Sequence, residues 1–170
     1  MSEKCSNRAL NNLSRQLGKL NPAKTVIVGV GNTLKGDDGA GPRICHILRD
    51  KITAEFIDAG SAPENYIAKI IKISPEKLLI IDAVDFGAAP GTIKIFDIKD
   101  LGRFLFSTHC LSPHLFVEAI RSEINVDVIF IGIQPARLHL GRDLSKQVSD
   151  TIAALADKIK LACCSGSTVF

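Results

Sequence analysis

Tryptophan is absent from the 170 residues, and one tyrosine and eight phenylalanines are the whole aromatic complement. A core built from this chain is therefore mostly aliphatic. The five cysteines, Cys5, Cys45, Cys110, Cys163 and Cys164, are odd in number and include no C-x-x-C pair. That excludes a disulfide frame or a structural zinc site as the organising device and fits reduced thiols. No apolar run reaches the length of a membrane span, and MSEKCSNRALNNLSRQLGKLNPAK has no apolar centre of signal-peptide length. A cytoplasmic chain without membrane insertion is expected. The formal net charge of +3 comes without any cluster of aromatic and basic residues, which argues against nucleic acid as a partner. Repeats and low-complexity linkers are also missing. Residues 1–170 therefore read as a single domain, and a monomer is expected.

What is present is an alternation of short apolar runs with amphipathic stretches. Leu10, Leu13 and Leu17 are spaced as in a helix over residues 7–17, which NPAK ends. TVIVGV, Thr25 to Val30, is a β-branched run typical of a strand buried on both faces. Pro42, Ile44, Ile47 and Leu48 predict a helix with proline in its first turn. TAEFIDAG, EKLLIIDAV and VDVIFIGI predict further strands, and GTIKIFDI alternates like an edge strand. APENYIAKIIKI, SPHLFVEAIRS and residues 144–161 predict helices. The pattern predicts an α/β fold, a three-layer α/β/α sandwich around a mostly parallel, twisted sheet of about five strands with one antiparallel edge strand. Ligands of such sheets lie beyond the carboxyl ends of the strands.

The first strand runs into GVGNTLKGDDGAGP, Gly29 to Pro42. Gly29 and Gly31 open a dinucleotide-type turn, but Leu34 occupies the third glycine position, removing the expected close helix–strand approach. No Gly-Lys dipeptide of a P-loop lies in this turn. Asp58, ending the second strand, resembles a ribose-binding acid and keeps a Rossmann-like nucleotide module open as an alternative. Electrostatics disfavours it. Two carboxylates within roughly 4–6 Å of a phosphate would each cost about 3–4 kcal/mol at an effective dielectric near 20, and a helix N-terminus offsets about 0.5–2 kcal/mol. Asp37 is read as the capping or solvated member of the pair and Asp38 as the one facing the cleft. Asn32 and Gly36 are read as shaping the turn.

A cation at Asp38 needs further ligands from the same edge. Asp82 follows an apolar run at the end of the central strand, where an ionised carboxylate is costly unless paired, hydrogen-bonded or coordinating. Asp85 reads as a loop cap. Of the four histidines, His46 and His139 read as structural or exposed and His114 as a first-turn helix residue. His109 lies in the polar loop FSTHCLSP and is the candidate third ligand. Two carboxylates and an imidazole suit nickel, zinc or another late divalent ion better than calcium or magnesium. A thiol–imidazole hydrolase using Cys110 has no evident orienting group. Ser61, Glu64 and Asn65 are placed in the neighbouring loop, with capping an equal role for Ser61. Gln134 and Pro135 are placed past the last strand as candidate substrate contacts.

With these residues in view, GVGNTLKGDDGAGP, IDAGSAPENY, LLIIDAVDFGAAPGTIKIFD, STHCLSP and VIFIGIQP, in order over about residues 25–135, resemble the nickel–iron hydrogenase maturation endopeptidases, most closely the hydrogenase 3 type. Residues 1–24 lie outside the family pattern as an N-terminal helical extension. The resemblance implies a cytoplasmic protease, catalogued as aspartic-type, that removes the C-terminal extension of a hydrogenase large-subunit precursor after nickel insertion. It places metal contacts on Asp38, Asp82 and His109, with Asp38 and Asp82 as the catalytic carboxylates. Nickel is then supplied by the precursor rather than permanently bound, and another divalent ion can occupy the site. The chain lacks a pair of D-[ST]-G loops for a proton-sharing dyad, so either metal-activated water or a carboxylate general base remains open. A metal-sensing chaperone that docks on the precursor without cutting is the remaining alternative.

Overall fold

The computed structural model describes residues 13–18, 20–103, 105–106, 112–141 and 143–164, with backbone alone at 102–103 and 105–106. Six strands form one sheet: β1 (Thr25–Val30), β2 (Glu55–Gly60), β3 (Lys77–Asp85), β4 (Ile93–Phe96), β5 (Leu105–Phe106) and β6 (Asp127–Ile133). Their order is β2-β1-β3-β6-β4, with β5 pairing β3. β1, β2, β3 and β6 are parallel, and β4 runs antiparallel to β6 at the edge, as GTIKIFDI predicted. The two-residue β5, antiparallel to β3 at Val84 and Asp85, was not predicted.

Period-two alternation inside the apolar runs divides the core between the two faces of the sheet. Ile27, Leu79, Ile81, Ile129 and Ile131 pack on one side with α1 (Ala40–Leu48) and α4 (Lys146–Cys164). Val26, Val28, Leu78, Ile80 and Phe130 pack on the other with α2 (Ile67–Ile73) and α3 (Pro113–Arg121). The predicted helix at residues 62–73 begins as a tighter 3-10 turn, Pro63–Tyr66, before α2. α4 starts at Lys146 and runs to Cys164, slightly later than predicted.

Residues 13–17 are helical. Leu13, Leu17 and Leu20 are buried in the α1/α4 core, and Leu20 N–H donates to the Ala162 carbonyl at 3.1 Å. The described part of the N-terminal extension is thus core, not appendage. Leu10, its first periodic leucine, lies outside the described residues.

Chain order fixes where a ligand site belongs. β1 leads outward to β2, and the chain then returns to place β3 on β1's other side. The connections after β1 and β3 part at this point and leave a crevice at the carboxyl ends of the two strands.

Candidate active site

Asp38 reaches that crevice from β1. Immediately past the strand, Gly31 adopts φ 128°, and a Cβ there would lie 1.8 Å from the Asp38 carbonyl oxygen. Only glycine permits this contact. Asn32 then grips the turn twice: its N–H donates to Asp38 Oδ2 at 2.8 Å, and its Oδ1 accepts from Leu34 N–H at 2.9 Å. Asp38 itself is 0% exposed. The N–H that a phosphate would need is thus directed at a carboxylate, which counts against the nucleotide reading.

The 3-10 turn Gly36–Gly39 packs against β3 and leads directly into α1. At Gly41, a Cβ would stand 2.3 Å from the Ile81 carbonyl oxygen and 2.5 Å from that of Val30. The close helix–strand approach expected to be missing because of Leu34 is therefore present, supplied by a different glycine. It seats the Asp38 turn over the ends of β1 and β3.

Asp82 follows Ile81 on β3 and is 1% exposed. The expectation that Asp82 ends the strand is corrected: β3 continues to Asp85, because β6 still pairs Asp82 with Gly132 and Ala83 with Ile133, and β5 then pairs Val84 and Asp85. On the other side the last β1 rung is Gly29 opposite Ile81. Asp82 thus sits where one neighbouring strand has just stopped. Alternation gives it the face of Ile80, and with Val30, Pro63, Pro113, Phe116 and Phe130 it lines a small apolar cavity.

Asp37 is neither solvated nor a cap for its own helix. It is 0% exposed. Its Oδ2 accepts from Ala136 N–H (2.8 Å), Arg137 N–H (3.1 Å) and the Ser145 hydroxyl (2.9 Å), and its Oδ1 from Ser145 N–H (2.6 Å). One carboxylate therefore ties the loop after β6 and the entry to α4 to the glycine turn.

The third candidate, His109, and its neighbour Cys110 lie outside the described residues. Among the described residues, no group of three His, Cys, Asp or Glu side chains is arranged to hold a metal ion. His46 and His139 are exposed, and His114 occupies the first turn of α3. Asp58 is exposed, with Oδ1 accepting from Gly60 N–H at 3.2 Å. Gln134, placed as a substrate contact, is buried and occupied: Oε1 accepts from Phe86 and Ala88 N–H, and Nε2 donates to Asp85 Oδ1 and the Pro135 carbonyl. It holds the loop after β3. That hydrogen bond, followed by one from Gly87 N–H, keeps the exposed Asp85 carboxyl below its usual range, in keeping with a loop cap. Glu64 went beyond the expectation of a loop-lining residue, since its Oε2 is buried without a hydrogen-bond partner among the described residues.

Together these features define a three-layer α/β domain with buried carboxylates, Asp38 after β1 and Asp82 on β3, where a nucleotide-binding turn would present phosphate-binding amides. A family model described as HycI, hydrogenase maturation protease, matches residues 43–161. The hydrogenase 3 maturation protease of Escherichia coli (strain K12) is 35% identical over 142 residues, covering 79% of this chain and 88% of that protein. The solution structure of the endopeptidase HycI from Escherichia coli superposes with a TM-score of 0.73 at 34% identity, over 81% of this chain and 89% of that one. A [NiFe] hydrogenase maturation protease HycI from Thermococcus kodakarensis KOD1 gives 0.75 at 29% identity, over 82% and 92%. The chain belongs to the hydrogenase maturation protease family and is an endopeptidase of hydrogenase maturation. No helix among its described residues is long and apolar enough to cross a membrane.

Proposed function

We propose that this endopeptidase removes the C-terminal extension of a nickel–iron hydrogenase large-subunit precursor after nickel insertion, and that Asp38, Asp82 and His109 recognise the nickel. The metal is part of the substrate and arrives with the precursor; the protein works as a monomer in the cytoplasm. The observation that carries this reading is that both carboxylates are buried, Asp38 in the turn that follows β1 and Asp82 one residue past the last β1–β3 rung. Desolvating ionised carboxylates costs several kcal/mol each unless a cation or donors compensate. The flanks of segment 107–111 support the third ligand. Phe106 pairs with Val84, two residues beyond Asp82, and Pro113 lines the same cavity as Asp82.

Nickel selectivity then has a mechanical cause. A precursor without nickel has nothing for the two carboxylates and the imidazole to grip, and its scissile peptide is not held at the crevice. Such positioning is worth several kcal/mol of a barrier. Bound nickel supplies Lewis acidity to the scissile carbonyl or to a water. Asn32 N–H fixes the orientation of Asp38, and one of the two carboxylates accepts the proton of the attacking water as it adds to the carbonyl.

Purified protein incubated with nickel-loaded and nickel-free precursor, followed by intact-mass spectrometry, should show loss of the extension from the loaded form alone. Equal cleavage of both refutes the checking mechanism, and binding without any mass loss leaves a chaperone. Asp38→Asn, Asp82→Asn and His109→Ala should each abolish processing with unchanged circular dichroism. A variant that processes normally removes its residue from the set.

A further inference from the structure

Leu34, Leu138 and Leu140 are 49%, 36% and 81% exposed. All three belong to two loops fastened to one another. Gly141 N–H donates to the Leu34 carbonyl at 3.0 Å, Gly36 N–H donates to the Gly141 carbonyl, and Asp37 N–H donates to the Arg137 carbonyl at 3.2 Å. The buried Asp37 carboxylate closes the assembly through Ala136, Arg137 and Ser145. Solvent-facing leucines on so constrained a support form a preset apolar surface, whose docking requires little further ordering of this chain.

We propose that this surface docks the C-terminal extension of the precursor, an extended segment carrying apolar side chains and carboxylates, its own terminal carboxylate among them. The inference rests on the proposed function. Position selects this occupant first. Leu34 is two residues from Asn32, which holds Asp38, and it lines a surface hollow of about 410 Å³ with Thr33, Pro42, Arg43, His46 and Asp58. A substrate chain leaving past Asn32 on this side meets Leu34 first, and the loop carrying Leu138 and Leu140 is fastened beside it. Charge selects it second. Lys35 and Arg137 adjoin Leu34 and Leu138 in the chain, and Asp143 is the acidic residue in the described part of the later loop. Complementary charge favours carboxylates there and steers their approach.

The test compares wild type with Leu138→Ser/Leu140→Ser, and separately with Lys35→Glu/Arg137→Glu, on full-length and on extension-free precursor, both nickel-loaded. The serine pair should raise KM for full-length precursor by about tenfold or more, with kcat and Tm unchanged, since truncating anchor residues of a docking patch acts on binding. The charge-reversed pair should raise KM and flatten its dependence on salt. Binding of extension-free precursor should be the same for all three proteins. An unchanged KM overturns the proposal. Equal weakening toward both precursor lengths also overturns it, by assigning the patch to the body of the subunit. Self-association of wild type that the serine pair abolishes overturns it in favour of a second copy of this chain. Should wild type cut no precursor at all, the functional reading fails on its own, and the two binding measurements still decide what the surface holds.

Discussion

Asparagine at position 37 preserves the size of the side chain and removes only its charge and one acceptor. The best amide orientation keeps oxygen where Oδ2 meets Ala136 N–H, Arg137 N–H and the Ser145 hydroxyl. Its NH2 group then faces Ser145 N–H, donor against donor, at a position where the carboxylate accepts over 2.6 Å. Hydrogen bonds to a charged acceptor contribute about 1.5–3 kcal/mol against about 0.5–1.5 for neutral pairs, and a buried unsatisfied donor costs about 1–3 kcal/mol. Three weakened bonds and one lost bond come to about 4–6 kcal/mol. Relief from burying a charge offsets part of this, leaving a net loss of roughly 3 kcal/mol. In a chain of this length that lowers Tm by about 6–12 °C. Urea denaturation followed by circular dichroism measures the change, and hydrogen exchange at residues 136–148 should show protection lost there first. A double-mutant cycle with Ser145→Ala should give a coupling above about 1 kcal/mol. A loss below about 0.5 kcal/mol, the range of ordinary surface changes, would show that the carboxylate does not carry this junction.

Three further outcomes follow from the same structure. Burial, then the nearby Asp58 carboxylate, pushes the Cys45 thiol up to about 12, and burial pushes Cys163 up to about 11, whereas Cys164 is exposed. Peptide mapping after alkylation of native protein at mildly alkaline pH should find Cys164 modified and Cys45 and Cys163 spared, and labelling of Cys45 without unfolding refutes the packing of α1 on the sheet. Gly41→Ala forces α1 off two carbonyls that it would meet at 2.3 and 2.5 Å, so it should cost more than about 3 kcal/mol, and near-wild-type denaturation would refute the close approach. The folded Asp85 carboxyl is depressed, so its stabilisation is present above the unfolded carboxyl's pKa and lost as pH falls through the folded one. Wild type and Asp85→Asn should therefore differ in Tm near neutrality and converge in acid, and a gap independent of pH refutes the assignment.

Much of this architecture is legible in residue order because the signals are local. TVIVGV, LLIIDAV and VIFIGI are short β-branched runs between breakers, and each became a buried strand. GTIKIFDI alternates, and it is the antiparallel edge. Asp82 stood out as a candidate because a carboxylate after an apolar run needs a physical reason, and Asp38 because paired aspartates occupy the glycine turn where a phosphate would sit. What escaped depends on partners distant in the chain. The donors to Asp37 lie 99 to 108 residues away, so nothing nearby distinguishes it from a helix cap. Asp82 looked terminal because the apolar run ends at it, whereas pairing to β6 and then to the two-residue β5 carries the strand three residues further. β5 has two residues, too few for any periodicity. The helix–strand contact moved from the position a nucleotide fingerprint assigns to Gly41, and only the three-dimensional approach of two carbonyls reveals it.

The adjacent aspartates show how one local geometry serves two tasks. They lie in a 3-10 turn, where successive side chains project about 120° apart. Neighbours in sequence therefore face different surroundings. Asp37 turns toward the loop after β6 and the start of α4, where donors surround it. Asp38 turns back beneath β1 to Asn32, at the mouth of the crevice. The first arrangement makes the turn rigid by fastening it to two distant segments. The second uses that rigidity, because a carboxylate that must meet a metal or a water within a few tenths of an ångström needs a fixed base. On this view the two acids fail differently when neutralised. Asp37→Asn lowers Tm while leaving a fraction of molecules competent below the transition, and Asp38→Asn leaves Tm near wild type while processing is lost. Equal effects of the two substitutions on both measurements would mean that the pair acts as one charged cluster, and the division of labour would not stand.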